Sequence, residues 1–219
     1  KKSLILEDVL IACDDDRILK AAKNFGAQVV MTAKDHESGT DRIAQAVANI
    51  SVEVVVNIQG DEPLIDPAVI DRLAKVLLDN KNISMATVIK RIVNEEDLNN
   101  PNVVKVVIDR DQNALYFSRS PIPYNREQKE FKESGYYKHL GLYAYRKDFL
   151  LGFKNLSFSK LEATEKLEQL RVLDAGYKIK TIETDHETIG VDTPEDLERV
   201  EQLIKSSPIA SREERESFL

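Results

Sequence analysis

The sequence predicts a mixed α/β fold on a mostly parallel sheet, and three observations predict it. Short β-branched runs alternate with helical stretches from residue 8 to residue 89. The run EVVVNI at residues 53–58 is apolar almost without a break, as in a strand covered on both faces. The helical stretches open and close on residues that cap helices.

In order, residues 8–12 (DVLIA) read as a strand and residues 14–25 as a helix that Gly26 stops. Residues 28–31 form a short strand. Residues 40–49 form a helix with Ile43, Ala46, Val47 and Ile50 on one stripe. After the 53–58 strand, Asp66 caps a helix over 67–78, with Pro67 in its first turn. Residues 84–89 are a strand. The alternation then breaks: residues 103–108 and 114–117 flank a polar turn at Asp111, Gln112 and Asn113, which reads as a hairpin. Residues 124–137 are a charged loop, and residues 139–145 a strand of alternating character. A long helix is expected over 160–175, stopped by Gly176. A strand follows over 178–183, and a last helix has Thr193 as cap, Pro194 at its first position and Glu195 and Asp196 at the positive end of its dipole. Residues 1–205 read as one domain and residues 206–219 as a charged tail.

Composition narrows the function. The 219 residues are 42% hydrophobic and 32% charged, as in a soluble globular domain. The net charge is -7 and basic residues are interleaved with acids, which argues against a nucleic-acid partner. No window approaches 18 consecutive apolar residues, so no membrane helix is expected. Cys13 is the only cysteine, so no intrachain disulfide can form, in agreement with a reducing compartment.

Five segments carry possible chemistry. Asn57-Ile58-Gln59-Gly60-Asp61-Glu62-Pro63 lies where a buried strand leaves the sheet, the position at which open α/β sheets bind ligands. Carboxylates there can hold Mg²⁺ beside phosphates, or simply form an acidic turn. Asp192, in Gly190-Val191-Asp192-Thr193-Pro194, either compensates a helix dipole or meets Asp61 on one Mg²⁺. His36 to Arg42 opens a helix whose amides either bind an anion or base, or are capped by Ser38 alone. His139, Gly141, Tyr143 and Tyr145 share one strand face, which either lines a sugar pocket or is half exposed. Glu168 and Gln169 either reach a ligand or face water, while Leu167 and Leu170 point into the core. Phosphate-loop, zinc and serine-hydrolase motifs are absent.

In order along the chain, ACDDDRI, HESGTDR, VNIQGDEP, NPNVVKVVIDRDQNALYFSRSPIPY, YKHLGLYAYR, LEATEKLEQLR and GVDTPEDLERV resemble the CMP-Kdo synthetases (3-deoxy-manno-octulosonate cytidylyltransferases) over residues 8–200. The resemblance implies the nucleotide-diphospho-sugar transferase fold, with sugar and dimer contacts in a smaller β-rich excursion over residues 102–145. It implies transfer of CMP from CTP to Kdo, releasing pyrophosphate, for lipopolysaccharide synthesis by a cytoplasmic homodimer. It carries Asp61 and Asp192 over as catalytic magnesium ligands. Gln59, His139, Tyr143, Glu168 and Gln169 match sugar-binding positions, with Arg119 as a carboxylate partner, and Ser38, Gly39 and Arg42 fall where the family meets cytosine. In such a reaction positioning and charge neutralisation dominate. One departure stands out: family members begin with a strand and a loop of the type PARxxSxRxPGKP, which has no counterpart near Lys1. On that ground the chain is expected to turn over weakly or not at all, which an activity assay checks. A cytidylyltransferase for nonulosonic (sialic-type) acids, or a non-catalytic nucleotide-binding scaffold, are the alternatives.

Overall fold

A computed structural model describes residues 3–36, 38–127, 131, 135–186, 189–191 and 193–206. The elements run β1 (Leu10–Cys13), α1 (Asp16–Asn24), β2 (Gln28–Met31), α2 (Gly39–Val47), β3 (Val54–Asn57), α3 (Pro67–Asp79), β4 (Met85–Arg91) and α4 (Glu95–Asn99). Then come β5 (Lys105–Ile108), β6 (Ala114–Ser118), β7 (Tyr137–Arg146), α5 (Lys147–Gly152) and a 3-10 turn at Phe153–Asn155. Last are α6 (Lys160–Glu165), α7 (Gln169–Asp174), β8 (Ile179–Glu183) and α8 (Pro194–Ser206).

The main sheet runs β6-β5-β7-β4-β8. Strand β7 holds it together. One edge of β7 pairs with β4; the other is shared, with β5 against Tyr137 and Lys138 and β3 against Tyr143 to Arg146. All three pairings are antiparallel, so β3, β4 and β5 run the same way, and β8 joins them through its parallel ladder with β4. The sheet is mostly parallel in strand direction, as expected. Most of its neighbour pairings are nevertheless antiparallel, because reversed β7 lies in the middle. The expected hairpin is β5–β6, closed by Asn113 N donating to Asp109 Oδ1 at 2.7 Å. Strands β1 and β2 form a separate parallel pair.

Two apolar layers flank the sheet, as the unbroken strand runs require. On one face α3 places Val69, Leu73 and Leu77 against Ala86, Val88, Leu142, Ala144 and Ile182. On the other, Val47, Leu150, Phe153 and Leu170 pack on Met85, Ile89, Val106, Phe117, Tyr145 and Ile179. Helix α3 starts as its sequence predicts: Asp66 accepts from Ala68 N, and Pro67 occupies the first turn. Buried Arg146 closes the far end of β7, with Nε donating to Ile83 O, Nη2 to Asn80 O and Leu77 O, and Nη1 to Glu53 Oε1. Those bonds satisfy carbonyls that the end of α3 and the loop before β4 would otherwise leave bare.

The pair β1–β2 is fastened to the rest through polar links to α2 and α3. Arg42 on α2 donates to Asp14 Oδ2 at 2.6 Å and to Thr32 Oγ1 at 2.7 Å. Gln45 Oε1 accepts from Ala33 N at 2.9 Å, and Asp71 on α3 accepts from Leu4 N at 2.9 Å.

One expected element differs. The long helix over 160–175 is broken into α6 and α7, because Lys166 takes a left-handed backbone (φ 56). The break is braced by a two-pronged ion pair, in which Arg171 Nε donates to Glu162 Oε2 at 2.8 Å and Nη2 to Glu162 Oε1 at 2.6 Å. Gly176, with φ 82, stops α7 as expected. Helices α4 and α5 arise where no helix is expected. The 124–137 loop lies partly outside the described residues, and so does the tail from residue 207.

Leu73 has no exposed surface and anchors the α3 layer. Leu73→Ala is expected to cost about 2–5 kcal/mol, read as a lowered urea midpoint with an unchanged slope.

Candidate functional site

The carboxyl ends of the parallel strands meet the start of α2 and the break between α6 and α7. Strand β7 brings His139 and Tyr143 to this point, with ring centroids 5.2 Å apart, and Tyr145 follows 5.9 Å from Tyr143. Phe117 from β6 meets the His139 ring edge-on at 5.1 Å. Side-chain hydrogen bonds join the Tyr145 hydroxyl to Thr40 on α2 and Asn57 at the end of β3. Thr40 Oγ1 also donates to Glu168 Oε1. Four sequence-distant elements therefore converge on one aromatic and polar cluster.

The helix break positions the next two residues. Glu168 reaches Thr40, and Gln169 opens α7 at only 5% exposure. The Gln169 Nε2 is buried and has no hydrogen-bond partner. A bare buried amide costs about 1–3 kcal/mol, so this donor is an unfilled bond.

Electrostatics follow from burial. The apolar surroundings pull His139 down to about 3, so the ring is neutral at physiological pH. Tyr143 is pushed well above its ordinary value by burial first, then by Tyr145 and Glu168. Tyr145 is raised for the same leading reason, against its hydrogen bonding with Thr40 and Asn57, which lowers it. Both phenols stay protonated and can donate.

The acidic segment lies at the neighbouring strand end. Gln59, Gly60 and Asp61 are exposed, in a turn where Glu62 N donates to Gln59 O at 3.2 Å. Asp61 O accepts from Val191 N at 2.9 Å, which ties this turn to the segment before α8. Asp192 lies outside the described residues. Glu62 Oε2 is buried without a partner, and burial, then the Asp61 charge, push its carboxyl up to about 7. Asp61 and Glu62 thus supply two carboxylates, the oxygen chemistry a hard divalent cation takes; among the described residues no group of three or more acidic, histidine or cysteine side chains that could hold a metal is formed.

The base-side residues are already engaged by protein. Ser38 caps α2, accepting from Asp41 N at 3.2 Å and donating to Asp41 Oδ2 at 3.0 Å. A Cβ on Gly39 would meet nothing within 4 Å, so the space over the first turn of α2 is open. Arg42 is committed to Asp14, Thr32 and Ala33 O. Arg119 is pinned beside the break, its Nε donating to Glu165 O at 2.8 Å and its Nη1 to Pro101 O at 2.9 Å; Glu165 Oε2 accepts from its amide.

The sequence reading had missed Thr40 and Asn57 as members of the cluster. Asn57 carried a usable signal: it is a polar residue ending an apolar run, and it is 6% exposed. Thr40 carried none beyond its place at a helix start.

The sequence profile of a family described as Cytidylyltransferase matches residues 1–182. A 3-deoxy-manno-octulosonate cytidylyltransferase of Solibacter usitatus is 51% identical over 202 residues, covering 92% of this chain and 79% of that protein. One of Geobacter sulfurreducens is 48% identical over 212 residues, covering 93% and 85%. Among solved structures, a CMP:2-keto-3-deoxy-manno-octonic acid synthetase complexed with CTP superposes with TM-score 0.86 at 41% identity, covering 93% of this chain and 83% of that one. A cytidylyltransferase of Leptospira borgpetersenii, 16% identical with TM-score 0.58, shares the fold.

Two measurements test the site without substrate. Gln169→Leu removes the bare amide and is expected to stabilise the ligand-free protein by about 1 kcal/mol, a rise of a few degrees in Tm. For His139 the unfolded ring titrates near its ordinary value and the folded ring near 3. As pH falls below about 6.5 the unfolded chain binds a proton that the folded ring refuses, so the His139 contribution to stability is full above that pH and declines beneath it, at most about 1.4 kcal/mol per pH unit. The raised Glu62 carboxyl acts with the opposite sign over the same range, so the decline is read as the difference in denaturation midpoints between wild type and His139→Leu, which is expected to change between about pH 7 and pH 4.5.

Proposed function

From the premise that this chain belongs to the 3-deoxy-manno-octulosonate cytidylyltransferase family, we propose that it transfers CMP from CTP to Kdo, releasing pyrophosphate, and so supplies the activated sugar for lipopolysaccharide synthesis. The structural observation that carries the reading is the cluster of His139, Tyr143, Thr40 and Glu168, with the buried, unpartnered Gln169 amide next to Glu168 in the chain. Such a cluster suits a ligand dense in hydroxyls, which offers both donors and acceptors.

The reaction joins the anomeric hydroxyl of the sugar to the α-phosphorus of CTP and breaks the bond between the α- and β-phosphates. In this reading Gln59, His139, Tyr143, Glu168 and Gln169 orient the sugar. Gln169 donates its amide, Tyr143 donates its phenol, and neutral His139 can bond without adding charge. Fixing the hydroxyl in line with the phosphorus supplies most of the acceleration, because phosphoryl-type transfers need little covalent help. Arg119 would face the sugar carboxylate with Nη2, its other nitrogens being bonded to carbonyls. Ser38, Gly39 and Arg42 would border the cytosine, where Arg42 acts by holding β1, β2 and α2 in place.

Asp61 and Asp192 would hold Mg²⁺. The buried, unpartnered Glu62 oxygen beside Asp61 and the bond from Val191 N to Asp61 O support that assignment. When bound, Mg²⁺ offsets phosphate charge and lowers the pKa of a coordinated hydroxyl. A cytoplasmic homodimer belongs to the same proposal: CTP is a cytoplasmic nucleotide, and outer strand β6 presents exposed Leu115 as apolar surface. Among the described residues no helix is long and apolar enough to cross a membrane.

The test is pyrophosphate release with CTP, Kdo and Mg²⁺; release confined to Kdo supports the assignment, and full turnover overturns the expectation of weak activity. Asp61→Asn is expected to lower kcat by about 100-fold or more while the fold is kept. Equal turnover of a nonulosonic acid would transfer the assignment to that substrate, and turnover undiminished in Asp61→Asn would remove the metal role.

A further inference from the structure

The sugar-side histidine is held by a residue that neither the sequence motifs nor the proposed reaction assigns. Thr87 lies on β4 with no exposed surface, so water does not compete for its hydroxyl. That hydroxyl has one proton. Its Oγ1 lies 2.7 Å from Leu142 O, and a carbonyl can only accept, so the proton goes there. The same Oγ1 lies 2.9 Å from His139 Nε2. With its proton already used, Oγ1 must accept at this second contact, and the ring must donate.

The arrangement depends on an irregularity in β7. Thr87 pairs with Tyr143 and Ile89 with His139, so four residues of β7 span two of β4. Gly141, at φ 67, takes up the excess, and the resulting bulge turns Leu142 O toward the threonine. Phe117 and Tyr143 flank the imidazole on its other sides. Burial keeps the ring neutral, so only one of its nitrogens carries a proton. His139 Nδ1 has no hydrogen-bond partner among the described residues.

We propose that Thr87 is a positioning residue: by accepting from His139 Nε2 it fixes the Nε2–H tautomer and leaves Nδ1 as a hydrogen-bond acceptor for a sugar hydroxyl. The functional half of this rests on the assignment of His139 to the sugar site; the tautomer does not. Specificity follows from the sign of the contact. A ring nitrogen with a lone pair welcomes a hydroxyl hydrogen and repels a carboxylate or keto oxygen at the same place. His139 therefore selects for a hydroxyl, and the sugar carboxylate must point elsewhere.

The experiment reads the ring directly. Long-range ¹H–¹⁵N correlation spectra of the ¹⁵N-labelled, ligand-free protein should show the His139 ring as the Nε2–H tautomer; its signal is told apart by its loss in His139→Gln, since His36 and His186 also face acceptor oxygens with Nε2. In Thr87→Val, similar in shape but unable to accept, that signal should move toward the Nδ1–H or averaged pattern. KM for Kdo should rise about tenfold while KM for CTP holds, and Thr87→Ser should restore both. A wild-type ring in the Nδ1–H or doubly protonated form overturns the proposal, as does a Thr87→Val spectrum identical to wild type. If Thr87→Val does not fold, the wild-type and Thr87→Ser spectra decide. Failure of the wild type to transfer CMP to Kdo would count against the function and leave the tautomer assignment intact.

Discussion

Strand β7 is the constraint on which the rest of the structure depends. Its ten residues run against β3, β4 and β5 at once; β6 joins the sheet through β5 and β8 through β4, with the hairpin turn bonded to β8 by Thr181 N donating to Gln112 O at 2.8 Å. A strand paired on both edges cannot slip by one residue without turning its whole inner face outward. Tyr145, with 1% exposure, and Arg146, with four bonds to carbonyls and Glu53, lock one end in register. His139 and Tyr143 therefore occupy positions set by the core. The same chain segment builds the sheet and orients the site, which gives side chains the fixed geometry that transfer between two bound substrates demands.

Much of the fold could be read from the sequence because local pattern and tertiary need agree. The EVVVNI run became β3, Asp66 and Pro67 opened α3, and the polar turn at 111–113 closed the hairpin. What could not be read lies where tertiary contacts overrule local preference. Nothing at Lys166 announces a left-handed backbone, since lysine is a good helix former; the turn is held by Arg171 gripping Glu162. Helix α5 has Arg146 at its cap with no side-chain bond, so no cap signal marked it. The reversal of β7 was equally hidden, because alternation gives the face of a strand and not its direction.

The candidate site shows the same division. Taken alone, Glu168 and Gln169 read as well as solvent-facing residues of one long helix as they do as ligand contacts. The break turns them to the cluster, so their role depended on a backbone event that sequence spacing does not encode. The motifs at residues 57–63 and 139–145 were visible because strand ends and alternating faces have sequence signatures. Asn57, Thr40 and Thr87 contribute through hydrogen bonds to partners at least 52 residues away, which only the folded chain reveals.

Helix α2 carries two commitments within one turn. Thr40 bonds Glu168 on the sugar side, while Arg42, two positions on, grips Asp14 and Thr32 beyond the opposite flank. Such a helix works as a short axle: rolling it far enough to loosen one grip strains the other. The β1–β2 pair, held to α2 by Arg42, is thereby joined through a single helix to the cluster around Glu168.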